Sequence, residues 1–275
     1  MLPQTFYELP IAALAALTAI VFVGTYWLGC FLLRPVLRVF VRAGGDENQI
    51  VGTALSAFGV FYGLLLSLIA VAAYQNLNSV DSDVANEAAA LLALYRDVSE
   101  LPEPANQLRM ELRKYCRNSI DEDWPVQRKG LIPLGGTALI DPIRQGLLNF
   151  EPEGTRQELL HRQALEHFES MLDYGRRRKY AAQTGIPSVM WYVVIVGTII
   201  NFALLWLFDM RFLTQLFLGG LIAFFLGALI LLIAVLDRPY RSHQFGVSPQ
   251  ALELVHTVML RAEEGDTTVE GVELK

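Results

Sequence analysis

The 275-residue sequence predicts an all-α integral membrane protein with four transmembrane helices and a cytosolic helical insert between spans two and three. Three observations carry that expectation. Four stretches of about 20 or more apolar residues recur along the chain, each long enough at 1.5 Å per residue to cross a hydrocarbon core of about 30 Å. Charged residues make up only 18% of the chain and hydrophobic residues 53%, where soluble domains carry about a quarter charged; mean hydropathy is +0.36. No alternating strand pattern and no internal repeat interrupts the helical periodicity. A net charge of −6 and a pI near 5.3 argue against a nucleic-acid partner.

The first span covers about Ile11 to Leu33. Its flank, Met1 to Pro10, has no Lys or Arg and carries Glu8, so it lacks the basic region of a signal peptide and is expected to stay as a mature helix. The second span covers about Ile50 to Ala73, the third Val189 to Phe208, the fourth Phe212 to Leu236. Gly185, Pro187 and Ser188 punctuate the start of the third, where proline suits a first helical turn. Trp191, Tyr192 and Trp206 sit where interfacial aromatic belts are expected. Only Asp209, Met210 and Arg211 separate spans three and four, which makes them a tight antiparallel hairpin. The chain therefore divides into 1–75 (two spans), 76–186 (cytosolic helical domain), 187–241 (two spans) and 242–275 (cytosolic tail).

Lys and Arg near the span ends set the orientation. Arg176, Arg177, Arg178, Lys179, Arg238 and Arg241 lie on the side of the termini, and Arg34, Arg38, Arg42 and Arg211 lie opposite. Six against four places both termini in the cytoplasm.

In the insert, Leu77, Val84, Leu91 and Val98 recur every seven residues with Val80, Ala88 and Tyr95 beside them. The pattern fits a helix packed on its own domain or one lining a subunit seam. Pro102 and Pro104 break it. A second helix with the inner stripe Leu108, Leu112, Tyr115 and Ser119 is expected to stop at Trp124-Pro125. A Gly/Pro-punctuated stretch from Gly130 to Gly136 precedes a short helix near Pro142–Asn149, and a last one runs from Glu153 to Arg178.

Catalytic constellations are absent from the sequence: no G-x-S-x-G, P-loop, G-x-G-x-x-G or H-E-x-x-H occurs, so no enzyme and no cofactor is expected. His161 and His167 lie nearly on opposite helix faces, a poor arrangement for a metal; His243 and His256 are distant in sequence. Asp121-Glu122-Asp123 lacks the glycine and spacing of an EF-hand loop and reads as a solvated helix end. Cys30 and Cys116 read as packing thiols. Arg176, Arg177, Arg178 and Lys179 form a juxtamembrane run that reads as a lipid-facing basic anchor. Asp237 and Arg238 read as a helix-terminating ion pair or a gate latch.

Gly52, Ser56, Gly59, Gly63, Ser67 and Ala70 make a small-residue stripe on one face of the second span. Close helix packing accounts for it, with Gly52, Gly59 and Ala70 as packing positions. A sharper alternative has this helix ring a central axis, with Val60, Leu64 and Val71 forming a greasy constriction that gates by dewetting. No span contains Asp, Glu, Lys, Arg or His, which weakens proton-relay and coupled-transport readings. Asn201 is the strongly polar residue of the third span, and an interhelical hydrogen bond is its expected role.

Several segments together resemble the bestrophin-like domain family. They are Phe58-Gly59 leading to Ala72-Ala73-Tyr74-Gln75-Asn76, Ala85-Asn86-Glu87-Ala88, Leu94-Tyr95-Arg96 with Leu101-Pro102, Glu122-Asp123-Trp124-Pro125, Leu236-Asp237-Arg238-Pro239-Tyr240 and Val247-Ser248-Pro249. The resemblance spans about residues 10 to 255. It implies a bacterial inner (plasma) membrane protein and a homo-oligomeric ion channel, pentameric by analogy, whose partners are its own copies, membrane lipids and permeating ions. The implied pore residues are Ser56, Val60, Gly63, Leu64, Ser67 and Val71. The chain departs from bestrophins in lacking an aromatic neck ladder, since Phe58, Phe61 and Tyr62 crowd one turn. It also lacks a convincing acidic calcium clasp, since Glu263, Glu264 and Asp266 lie in a Gly/Thr-rich tail. The competing classes are a stator-like or energy-transducing subunit that needs a partner protein, and a non-conducting scaffold or sensor.

Overall fold

The computed structural model describes residues 10–33, 36, 45–102, 105–241 and 246–264. Arg34, Pro35, Arg38, Arg42, Pro104, His243 and Asp266 lie outside them. Eleven helical segments follow in order, with no strand among the described residues: α1 (Ile11–Leu32), α2 (Gly45–Ser99), α3 (Ala105–Asn118), a π-helical turn (Ser119–Asp123), α4 (Trp124–Arg128), a 3-10 turn (Gly135–Leu139), α5 (Ile140–Leu148), α6 (Thr155–Ala181), α7 (Ser188–Leu207), α8 (Phe212–Leu236) and α9 (Gln250–Glu264). Helices α1, α7, α8 and the first part of α2 are long and apolar enough to cross a membrane.

The described residues form two units. One comprises residues 1–77 and 185–238, the other 78–184 and 239 onward. In the first unit α1, α2, α7 and α8 share a core of Tyr26, Tyr62, Leu66, Ile69, Val194, Phe202, Leu205, Trp206, Ala223 and Ile233. Lipid tails are as apolar as leucine, so helices in a bilayer associate through close fit rather than through a hydrophobic drive. Glycine notches supply that fit. A Cβ on Gly197 would fall 2.2 Å from the Tyr62 ring, one on Gly29 1.9 Å from Trp206, and one on Gly219 2.0 Å from Tyr26. The inserted aromatics then donate to backbone carbonyls: Tyr62 to Val194 at 2.7 Å, Trp206 to Tyr26 at 3.2 Å and Tyr26 to Gln215 at 3.3 Å. Gln215 donates in turn to the Leu205 carbonyl at 2.9 Å, tying α8 to the end of α7. The Asn48 side chain exchanges two hydrogen bonds with the Asp209 backbone, at 2.9 and 3.3 Å, and ties the α7–α8 turn to the start of α2. Asn201 is buried, but its Oδ1 meets no donor among the described residues, so the expected interhelical bond through that oxygen does not form.

In the second unit Val80, Val84, Ala88, Leu91, Tyr95 and Val98 are all buried. From Val80 to Val98 the seven-residue repeat of α2 thus faces its own unit rather than a subunit seam, while Leu77, its first member, is half-buried and falls in the first unit. Helix α3 presents Leu108, Leu112, Tyr115 and Cys116 inward. The helical path does not stop at Trp124-Pro125. It passes through the π-helical turn, in which the Trp124 N–H reaches the Ser119 carbonyl, and Pro125 falls in the first turn of α4. The wider turn frees the carbonyl that a proline ring would strike in a regular helix. Helix α9, absent from the sequence-based expectation, packs on this unit: the Tyr95 hydroxyl donates to the Met259 carbonyl at 3.3 Å and the Cys116 thiol to Leu252 at 3.4 Å. Both cysteines are buried, and neither forms a disulfide.

Candidate pore face and buried charge network

Helix α2 is asymmetric along its apolar stretch. Its inner side carries Leu55, Phe58, Tyr62, Leu66 and Ile69 into the core, and Phe58 stacks on Tyr62 at 5.7 Å. Its outer side is left uncovered by the described residues. Ser56 and Ser67 are exposed and Gly63 half-buried, while Val60, Leu64 and Val71 are 71%, 58% and 53% exposed. Among the described residues nothing lies within 4 Å of a Cβ placed on Gly59 or Gly63, whereas one placed on Gly52 would lie 3.0 Å from the Phe208 ring. Ala70 is half-buried against the core. Only 17% of this stretch is buried inside the chain, against 39% for α8. The Ser56 and Ser67 hydroxyls donate to the Gly52 and Gly63 carbonyls, both at 2.9 Å, so no second helix is needed to satisfy them. Phe61 points away from Phe58 and Tyr62 and is 72% exposed.

Asp237, at the end of α8, bridges to the start of α7. Its Oδ1 accepts the Ile186 N–H at 2.5 Å and its Oδ2 the Trp191 indole N–H at 3.4 Å. Its approach to Arg238 is looser, at 3.8 Å. The carboxylate therefore serves the amide end of a neighbouring helix before it serves its sequence neighbour.

The second unit holds a dry cluster of charge. Arg178 is fully buried. Its Nε donates to Glu87 Oε2 at 2.5 Å and its Nη2 to Glu87 Oε1 at 3.1 Å and to Ser119 at 3.2 Å; Nη1 donates to Gln127 at 2.9 Å. Asp123 lies 3.7 Å from the guanidinium and 3.2 Å from Lys179. Tyr115 donates to Glu87 at 2.8 Å. Tyr240 donates to the Arg178 carbonyl at 2.9 Å, and Gln127 reaches the same carbonyl at 3.2 Å. Trp124 packs edge-on to Tyr240 and beneath the guanidinium. Two carboxylates face two cations, which is how a bilayer-free interior tolerates such charge.

The π-helical turn assembles the cluster. Tyr115, Ser119, Asp123 and Gln127 are spaced by four, and a regular helix drifts about 40° over each such step. The wider turn offsets that drift and keeps all four on the side facing Glu87 and Arg178. Gly175 supplies the remaining room, since a Cβ there would fall 2.7 Å from the Tyr115 hydroxyl and 3.0 Å from Glu87. Burial, reinforced by the Glu87 carboxylate, pushes the Tyr115 hydroxyl well above its usual range. The same two causes push the Cys116 thiol up to about 12. Burial works against the Arg178 charge, but Glu87 more than offsets it and holds the guanidinium protonated.

The basic run thus divides. Arg176 and Arg177 are exposed, Lys179 turns to Asp123, and Arg178 points into the unit instead of toward lipid because Glu87 lies beneath α6 there. The acidic trio divides likewise: Asp121 and Glu122 are exposed and Asp123 is 1% exposed. Glu87 and Gln127 escaped sequence reasoning as site residues. For Glu87 the one signal is that it sits, like Asp123-Trp124 and Tyr240, in a segment that carries the family resemblance; Gln127 lies outside those segments. Among the described residues no group of His, Cys, Asp or Glu is placed to hold a metal ion. His161 lies against the Leu147 carbonyl, and His167 against Asp97 at 2.6 Å.

Four helices long and apolar enough to cross a membrane, packed through glycine notches, mark a membrane protein. The chain belongs to the bestrophin-like family, whose domain model matches residues 13–252. No curated protein and no solved structure is detectably similar to it.

Proposed function

We propose that the protein is a homo-oligomeric ion channel that conducts passively through a pore lined by the outer side of α2, with Ser56, Val60, Gly63, Leu64, Ser67 and Val71 facing the axis. The observation that carries this reading is the pair Gly59 and Gly63. Gly29, Gly52, Gly197, Gly219, Gly220 and Gly227 of the spans each abut an aromatic ring of the same chain, whereas these two, like Gly24 of α1, meet no neighbour among the described residues. Contact with further copies gives them a use. Val60, Leu64 and Val71 recur along that side and supply an apolar constriction. Both termini and the second unit are cytoplasmic in this reading, the membrane is a bacterial plasma membrane, Arg176 and Arg177 are the lipid-facing part of the basic run, and Asp237 with Arg238 latches the cytoplasmic end of the spans.

The test is reconstitution of the purified protein alone in a planar bilayer. Salt-dependent current that Leu64→Ser increases supports the reading, because a polar side chain hydrates the constriction. Silence from inserted oligomers overturns it and favours a partner-dependent subunit or a non-conducting scaffold.

A further inference from the structure

The loop from Gly130 to Gly136 carries leucines that the chain leaves in the open. Leu131 is 55% exposed and Leu134 80%, while Pro133 and Gly136 between and beyond them are buried. Apolar residues thus point outward with a spacing of three from a loop whose remaining side is anchored. Both anchors are juxtamembrane segments. Gly130, held at φ 75°, packs with its Cβ position 3.0 Å from the Arg241 guanidinium and 3.8 Å from the Ala182 carbonyl, and that of Gly136 is 3.0 Å from Lys179 Nζ. Arg241 lies five residues after the end of α8, and Ala182 six residues before the start of α7. Arg128 and Lys129 immediately precede the leucines, and Arg176 and Tyr180 on α6 are exposed nearby in sequence to the second anchor. Basic and aromatic residues beside outward leucines match the boundary between lipid headgroups and acyl chains.

We infer that Leu131 and Leu134 insert into the bilayer interface and dock the second unit on an anionic lipid surface. Leucines supply the apolar contact, and Arg128, Lys129 and Arg176 face the lipid phosphates. The inference needs the chain to be in a membrane and does not need it to conduct.

A fluorophore sensitive to polarity tests it, attached through Leu134→Cys in the full-length protein reconstituted into phosphatidylcholine–phosphatidylglycerol vesicles. Gln107→Cys, at an exposed polar position, is the aqueous control, and the native thiols are buried. Docking predicts blue-shifted emission, quenching by nitroxide-labelled lipid, and at least about threefold weaker iodide quenching at 134 than at 107. Equal iodide quenching at the two positions overturns the inference. So does shielding from iodide without quenching by the nitroxide lipid, which assigns the cover to protein, a second copy included.

Discussion

Arg178 carries a full positive charge into an interior without solvent, and every polar atom of its fork has a partner there. Removing one member of such a cluster leaves the others charged and dry. Arg178→Met is therefore expected to destabilise the second unit by about 3–5 kcal/mol, seen as a lower unfolding temperature of the solubilised protein. Glu87→Gln combined with Arg178→Met recovers part of the loss, because the stranded carboxylate is gone. Arg178→Lys does not rescue, since an ammonium cannot reach Glu87, Ser119 and Gln127 at once. The acidic hydroxyl and thiol groups around it set an alkaline limit. Tyr115, Tyr240 and Cys116 all have raised folded-state pKa values. Their protonated forms are favoured in the fold, so the stability they contribute is complete below their unfolded values and is lost as pH rises above them. For Cys116 that window runs from 9.0 to about 12. Unfolding temperature falls across pH 9 to 11, and Tyr115→Phe, which cannot ionise, makes the fall shallower.

At the scale of helices, glycine position separates folding from assembly. Gly197→Ala drives a methyl group into the Tyr62 ring and is expected to cost about 1–3 kcal/mol, measured as loss of the folded detergent-solubilised protomer. Gly63→Ala meets open space in the chain and leaves that protomer's stability intact, while weakening association if α2 lines a seam between copies; sedimentation of the two variants separates the effects. The spans were readable from the sequence because apolar length is a local property, and α3 was readable because Leu108, Leu112 and Tyr115 repeat at helical spacing. Other features were not. Pro125 is a helix stop only where the preceding turn is regular, and a π-helical turn removes the clash. Glu87 and Arg178 are 91 residues apart, and no periodicity announces a contact at that separation. A run of four basic residues before a span also looks uniform in sequence, although a helix turns them to different sides and hides one.

For the molecule as a whole, charge bears on what it would conduct. Between Gln75 and Ile186 there are 17 acidic and 14 basic residues, a mild excess that would favour cations if this segment lines a vestibule, as the proposed channel requires. Reversal potentials under a salt gradient are expected to show weak cation preference, and a chloride preference contradicts this. The second unit is discontinuous, drawn from residues on both sides of α7 and α8, and α9 covers Tyr95 and Cys116. During synthesis the ribosome must therefore release both late spans to the insertion machinery before Tyr240 and α9 can meet partners made over 60 residues earlier. A nascent chain that fails to thread those spans leaves Arg178 and Cys116 uncapped, and a botched insertion becomes visible to proteases as an unfinished domain.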